Sequence, residues 1–359
     1  MIQKKLNLFL IMLLVVVTVV IYQLYFTAEK SKQLSYLEDE IKNLQVKIDQ
    51  LESQNKRNFV NIQKIPLPLV FCGDTLDMNN IFIRERVERE FYSLLGDPGQ
   101  LQLYMKRTER YLPMITAHFE EAGLPKDLQY LAVHESALLP KIRSRSNAVG
   151  LWQFMYATGR LYKLRIDRYI DERRDPEKAT KAAVRFLGDL YKQFGRWPIV
   201  LAAYNGGQGR LKRSIKNQNS KSLIDLSLPE ETERYYFKIV ATKIILSHPE
   251  EYGFSLERHE YFPTPEITGI NFKIDDNRMT LEQIAEVFDM SIVALKDFNP
   301  QLINTYLPRG SYELNLPVDN YNKYLEMVEK QNIESDENIE STEISHTDEI
   351  TLSKISASD

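Results

Sequence analysis

Residues 124–136 read LPKDLQYLAVHES, and Leu124, Leu128, Leu131, Ala132 and Glu135 stand three, four or seven positions apart. In a helix that spacing aligns side chains on one face, so the apolar face here carries a carboxylate. Burial disfavours the charged form of such an acid, which raises its pKa and keeps a proton available near neutral pH. Position alone leaves two readings level: a catalytic acid, or a structural Glu paired with Arg143 or Arg145.

The helical period extends outward from this stretch, from about Ile81 to Ser247. Leu112, Ile115 and Phe119 share a face, and Gly123 closes their helix. Asp175 and Pro176 read as an N-cap and first helical residue, followed by the apolar face Ala183, Phe186, Leu187, Leu190, Tyr191 and Phe194, with Gly195 as the stop. Trp197 and Pro198 start another helix, which runs to Tyr204 and is stopped by Gly206 and Gly207. Pro229 opens a further one, carrying Tyr235, Tyr236, Ile239, Val240 and Ile244. No alternating strand pattern of any length interrupts them. The expected fold class is mainly α, with a helical domain over 81–256.

Between Pro265 and Pro317 the pattern changes to Ile270–Ile274, Leu281–Phe288, Val293–Asn299 and Tyr312–Leu316, a small β-α-α-β unit expected within a domain over 257–330. The segment 331–359 is rich in Glu, Ser, Thr and Asp and is expected to be a disordered acidic tail.

At the other end, Lys4 and Lys5 precede an apolar run from Leu6 to Phe26, long enough to cross a bilayer as a helix, with Tyr22 and Tyr25 at the far interface. The run lacks a small residue three positions before a cut at Ala28, so an uncleaved anchor over 1–28 is favoured over a signal peptide. Leu34, Leu37, Ile41, Leu44, Ile48 and Leu51 then alternate spacings of three and four. That seam predicts a coiled-coil stalk over 29–58, about 40 Å long, and a parallel homodimer through residues 34–51. A helix packed on its own domain is the other reading. Residues 59–80, with Pro66 and Pro68, read as an extended linker in which Cys72 is a packed small hydrophobe.

Of the 359 residues, 43% are hydrophobic and 27% charged, with a formal net charge of -4. This spreads no strong field of one sign, which argues against a nucleic-acid partner. One cysteine excludes an intrachain disulfide, and the five scattered histidines offer no metal-ligand spacing. Neither a metal nor any other cofactor is expected.

Glu135 and Ser136 are followed by Ser144, by the block Asn147-Ala148-Val149-Gly150-Leu151-Trp152-Gln153-Phe154-Met155, and later by Ala202-Ala203-Tyr204-Asn205-Gly206. These three motifs, in this order, resemble the lytic transglycosylases of the lysozyme-like superfamily, and most of all the membrane-bound murein transglycosylase D group. The resemblance covers roughly residues 100–250. It departs from the family at His134, at Arg145-Ser146 and at the second glycine, Gly207. It implies a lysozyme-like helical fold in which Glu135 is the single general acid and base and Ser144 helps to hold the substrate N-acetyl group. Gln153 and Met155 would line the sugar cleft, while Tyr204 and Asn205 support the reacting sugar and the carboxyl. Plain readings stay open beside these roles: Met155 and Trp152 as core, and Asn205 with its glycines as a helix C-cap. Thr280, Leu281, Ile284, Ala285, Phe288, Asn299, Pro300, Gly310 and Leu314–Pro317 resemble a degenerate LysM module, which binds glycans containing N-acetylglucosamine or only packs.

The motif blocks hold no second acid for a glycosidase that needs two; Asp171, Glu172 and Asp175, among Arg173 and Arg174, read as a structural ion-pair turn. The resemblance implies cleavage between N-acetylmuramic acid and N-acetylglucosamine with closure of a 1,6-anhydro ring. The enzyme would be held in the inner membrane by a single pass, with its catalytic domain in the periplasm. A catalytically silent peptidoglycan-binding scaffold and a hydrolytic muramidase are the alternatives.

Overall fold

The computed structural model describes the backbone of residues 2–61, 64–336 and 350–351. It divides into two compact units, 1–64 and 65–359.

The first unit is one helix, α1 (Ile2–Asn61), continuous through the expected anchor and stalk. The apolar run begins among residues 2–11, whose side chains lie outside the described set, as does that of Leu34. Among the described residues no helix is long and apolar enough to cross a membrane; the part of the run in view, residues 12–26, falls short of the roughly 20 that a span needs. Leu37, Ile41, Leu44, Ile48 and Leu51 are all exposed along α1.

The second unit begins with structure where an extended linker was expected. Strands β1 (Val70–Phe71) and β2 (Asp74–Thr75) form a short antiparallel hairpin. Its Leu69, Phe71 and Leu76 are buried, with Phe71 edge-on to Tyr236 at 5.5 Å. Asp127 accepts the Cys72 N–H at 2.7 Å and the Lys243 ammonium at 2.6 Å, so the stretch joins the helical core. The apolar side chains that follow Pro68 supply the driving force, since burying a Phe or Leu stabilises by about 1.5–3 kcal/mol.

Helices α2 (Ile81–Leu95), α3 (Pro98–Glu121), α4 (Gln129–Ser136), α5 (Tyr156–Leu161), α6 (Pro176–Phe194), α7 (Trp197–Gly206), α8 (Gln208–Gln218) and α9 (Glu230–Ser247) follow. Asp175 caps α6 through the N–H groups of Glu177 and Lys178, and Gly195 and Gly207 end α6 and α7 at positive φ. Tyr235, Tyr236, Ile239, Val240 and Ile244 of α9 are buried, as expected. The buried stripe of α6 is Ala179, Ala183, Leu187 and Leu190, whereas Tyr191 turns outward and stacks on Trp197 at 4.4 Å. Between α4 and α5, isolated bridges Arg143 to Val149 and Val149 to Phe154 make a small hairpin-like loop.

The C-terminal module has the expected β-α-α-β order: β3 (Ile267–Thr280), α10 (Leu281–Val287), α11 (Ile292–Phe298) and β4 (Tyr306–Pro317). The strands pair antiparallel, with Phe272 opposite Tyr312, over a core of Phe272, Ile284, Phe288, Leu295 and Leu314. Helix α12 (Val318–Asp336) continues past residue 331, and β5 (Ile350–Thr351) pairs parallel to β3. Both are ordered where an unstructured tail was expected. The rest of that tail lies outside the described residues.

Candidate active site

Helix α4 ends abruptly. Ala137 and Leu138 both take left-handed φ, 53° and 58°, a conformation that costs non-glycine residues free energy and is enriched at functional sites. Arg107 donates to the Ala137 carbonyl at 2.9 Å and holds this stop. Glu135 is thereby fixed in the last turn of α4, half-buried, on the face expected from its spacing.

Its partner is Tyr235 of α9, whose hydroxyl donates to Glu135 Oε1. The alternative pairing with Arg143 does not occur: that guanidinium donates to Asn147 Oδ1 at 2.6 and 2.9 Å. Burial pushes the Glu135 carboxyl from its usual 4.5 up to about 7, against the opposing effect of the Tyr235 hydrogen bond; the Glu231 charge raises it further and Lys238 lowers it. Burial also lowers His134 to about 4, which keeps it neutral beside the acid, and its ring meets the Tyr235 ring edge-on at 5.4 Å.

Tyr235 is held by its own helix. Its neighbour Arg234 donates to the buried Glu90 of α2 at 2.8 and 3.0 Å, which pins α9 against α2. Tyr204 donates to the Trp152 carbonyl at 2.6 Å, and burial together with the Glu135 charge raises its phenol well above the usual range. The side chain of Asn205 is not used as a helix cap. Its Oδ1 accepts from Thr232 at 2.8 Å and its Nδ2 donates to Glu231 at 3.3 Å. A Cβ on Gly206 would come within 2.9 Å of Thr232, so glycine permits this close approach of α7 to α9.

Gln153, Met155, Tyr204 and Asn205 line one cavity of about 270 Å³, together with Phe186 and Leu161. Met155 is thus an exposed cleft residue, while Trp152 is core, its Nε1 donating to Thr180 at 3.0 Å. Gln153 sits at φ 46° and its amide donates to the Gly150 carbonyl at 2.8 Å. Ser144 lies in the turn that opens the 143–154 loop. Its hydroxyl accepts from the Ala148 N–H at 3.0 Å and pairs with Ser146 at 2.9 Å. The arrangement gathers four of the expected residues around one cavity, links Glu135 to it through the effect of its charge on Tyr204, and leaves Ser144 engaged with its own turn.

Sequence reasoning missed two residues. Tyr235 reads from spacing as a core aromatic of α9, and only the packing of α9 on α4 aims its hydroxyl at Glu135. Glu231 lies outside the three motif blocks, and the same packing places a second carboxylate close enough to act on the first. Asp171, Glu172 and Asp175 keep the structural reading: Asp171 pairs with Arg173 at 2.8 Å and Glu172 with Lys178 at 2.7 Å, and Asp175 caps α6.

Residues 114–226 match the family Transglycosylase SLT domain, and 274–330 match the family Lytic transglycosylase MltD, LysM-like domain. The chain thus carries a segment, residues 114–226, that is similar to the transglycosylase SLT domain. The membrane-bound lytic murein transglycosylase D of Escherichia coli K12 is 32% identical over 235 residues, 64% of this chain and 50% of that protein. The chain thus spans half the length of this curated relative. The peptidoglycan transglycosylase gp16 of Escherichia phage T7 is 34% identical over 110 residues, 30% of this chain and 8% of that protein. Among solved structures, the 70 kDa soluble lytic transglycosylase of Escherichia coli aligns with 24% identity and a TM-score of 0.32, covering 43% of this chain and 27% of that one. Glu135 through Tyr204 all fall inside the SLT match, whereas Glu231 and Tyr235 lie just beyond it.

Proposed function

We propose that the protein cleaves the β-1,4 bond between N-acetylmuramic acid and N-acetylglucosamine in peptidoglycan as a lytic transglycosylase. The observation that carries this reading is a desolvated carboxyl, Glu135, pushed up to about 7 and holding a phenol hydrogen bond, whose charge acts on Tyr204 in the wall of a cavity also lined by Gln153, Met155 and Asn205. A carboxyl poised at that value can give and take a proton at neutral pH.

In the proposed reaction protonated Glu135 donates to the glycosidic oxygen as the bond from C1 of the muramic acid breaks. The substrate's acetamido oxygen stabilises the cation. The carboxylate then takes the proton of the C6 hydroxyl, whose oxygen bonds to C1 and closes the 1,6-anhydro ring. An intramolecular nucleophile has the entropic advantage over water. Tyr235 would orient the acid, Tyr204 and Asn205 would support the reacting sugar, and Ser144, Gln153 and Met155 would bind the flanking sugars.

The finer parts of the reading are the layout along the chain and its location. They comprise an anchor over 1–28, a stalk over 29–58 that pairs as a parallel homodimer, a catalytic domain over 81–256 and a glycan-binding module over 257–330. Single-pass insertion in the inner membrane would leave the enzyme in the periplasm. The apolar run Leu6–Phe26, the exposed seam from Leu37 to Leu51 and the membrane-bound name of the E. coli relative support it.

A hydrolytic outcome draws support from Glu231, a second carboxylate that acts on Glu135. Mass analysis of sacculi digested by wild type, Glu135→Gln and Glu231→Gln separates the readings. Anhydro products from wild type and Glu231→Gln but none from Glu135→Gln support the lytic reaction. Reducing-end products would replace it with hydrolysis, and no products from any of the three would leave a binding scaffold.

A further inference from the structure

The C-terminal module is seated on the SLT domain through a strip of that domain, residues 168–173. Ile170 is 4% exposed and belongs to the module's own apolar core, with Leu295, Leu302 and Tyr312. It bridges Leu302 in antiparallel fashion. On either side the Ile303 N–H donates to the Tyr169 carbonyl at 3.0 Å and the Asp171 N–H donates to the Gln301 carbonyl at 2.9 Å. Asn304 adds a bond to the Arg168 carbonyl at 3.1 Å. The strip thus behaves as an added strand on the connection between α11 and β4. Lys178 to Glu313 at 2.6 Å, and the Lys141 to Asp297 pair, flank it.

The same strip grips the loop that carries the sugar-binding candidates. Arg173 is buried, held by Asp171 through Nε at 2.9 Å and Nη2 at 2.8 Å. Its remaining nitrogen, Nη1, donates to the carbonyls of Phe154 at 3.1 Å and Asn147 at 3.3 Å. Its own carbonyl lies against Gly150, where an added Cβ would stand 1.7 Å from the Arg173 oxygen. The 143–154 loop is therefore clasped by side chain and backbone of one residue, and that loop bears Ser144 and Gln153 and leads directly into Met155.

We propose that the C-terminal module is a brace for the catalytic cleft: by fixing Ile170 it fixes Arg173, a positioning residue that sets the 143–154 loop for sugar binding. The inference rests on the glycan-cleaving reading for its substrate and gives the module a task besides any glycan contact of its own. Glu135 sits on α4 and Tyr235 on α9, outside the clasp. Loosening the clasp therefore weakens sugar binding and leaves the titration of the acid in place.

The test uses the full chain in detergent with Ile170→Ala, Leu302→Ala and Arg173→Lys. Phe288→Leu, whose ring packs on Phe272 and Tyr324 within the module, serves as the control for general destabilisation. The clasp variants should raise KM on solubilised glycan strands by about tenfold, the scale expected when supporting residues let a site drift, with the pH midpoint of kcat unchanged. Amide exchange across 147–154 should speed up in the same variants, and Phe288→Leu should show neither effect. Clasp variants that keep the wild-type KM, or a Phe288→Leu chain with the same rise, would overturn the brace. If the wild-type chain cleaves no glycan, the functional reading falls, and exchange across 147–154 decides the brace by itself: faster exchange confined to the clasp variants upholds it, and wild-type exchange overturns it.

Discussion

At the residue scale, burial sets the working range of the acid against the pull of one hydrogen bond. Tyr235 favours the charged form of Glu135 while burial favours the neutral one, and burial wins. A general acid is lost when it deprotonates, so kcat is expected to fall as pH rises through about 7. Tyr235→Phe removes the group that holds the pKa down, so its alkaline limb should move to higher pH in a kcat profile. Glu135→Gln should lose activity by about 10²–10⁴-fold and, in the opposite sense, gain stability. Between the unfolded value near 4.5 and the folded value near 7 the native protein holds more protons than the unfolded chain. Stability from this group is therefore full at low pH and is lost as pH rises through 7. Thermal unfolding should show the variant's advantage growing from pH 4 to pH 8, towards about 3 kcal/mol; a pH-independent difference would contradict a buried neutral acid.

At the scale of elements, α9 does more than fill the core. It is tied to α2 through Arg234 and Glu90, to α7 through Thr232 and Asn205, and to the N-terminal hairpin through Lys243, which donates to the Val70 carbonyl at 2.7 Å. The hairpin meets α9 at Tyr236, the residue next to Tyr235, through the ring of Phe71. Phe71→Ala is expected to destabilise the fold by about 3–5 kcal/mol, the usual range for emptying a buried aromatic site, as read by denaturant unfolding. A loss under 1 kcal/mol would return these residues to the role of a loose linker. Little of this was legible beforehand. The prolines around residues 66–68 signal extended chain, but a strand of two residues has no period to read, and its burial depends on a helix over 160 positions away.

At the scale of the whole molecule, the proposed anchor over 1–28 is open to a direct test. Removal of residues 1–28 should shift the protein from the membrane to the soluble fraction on cell fractionation and leave its digestion of purified sacculi unchanged; retention in the membrane would place the anchor elsewhere. By itself the sequence determined the helical class, the β-α-α-β module and the motif residues, because period, caps and glycine stops are local properties written at fixed spacing. It also put Glu135 on an apolar face. Tertiary structure alone decided that Tyr235 is its partner in place of Arg143, and that Glu231 is a second nearby charge. It likewise decided that Ile170 belongs to the core of another module. Each of these depends on which helix faces which, and contacts between residues a hundred positions apart leave no periodic trace in the chain.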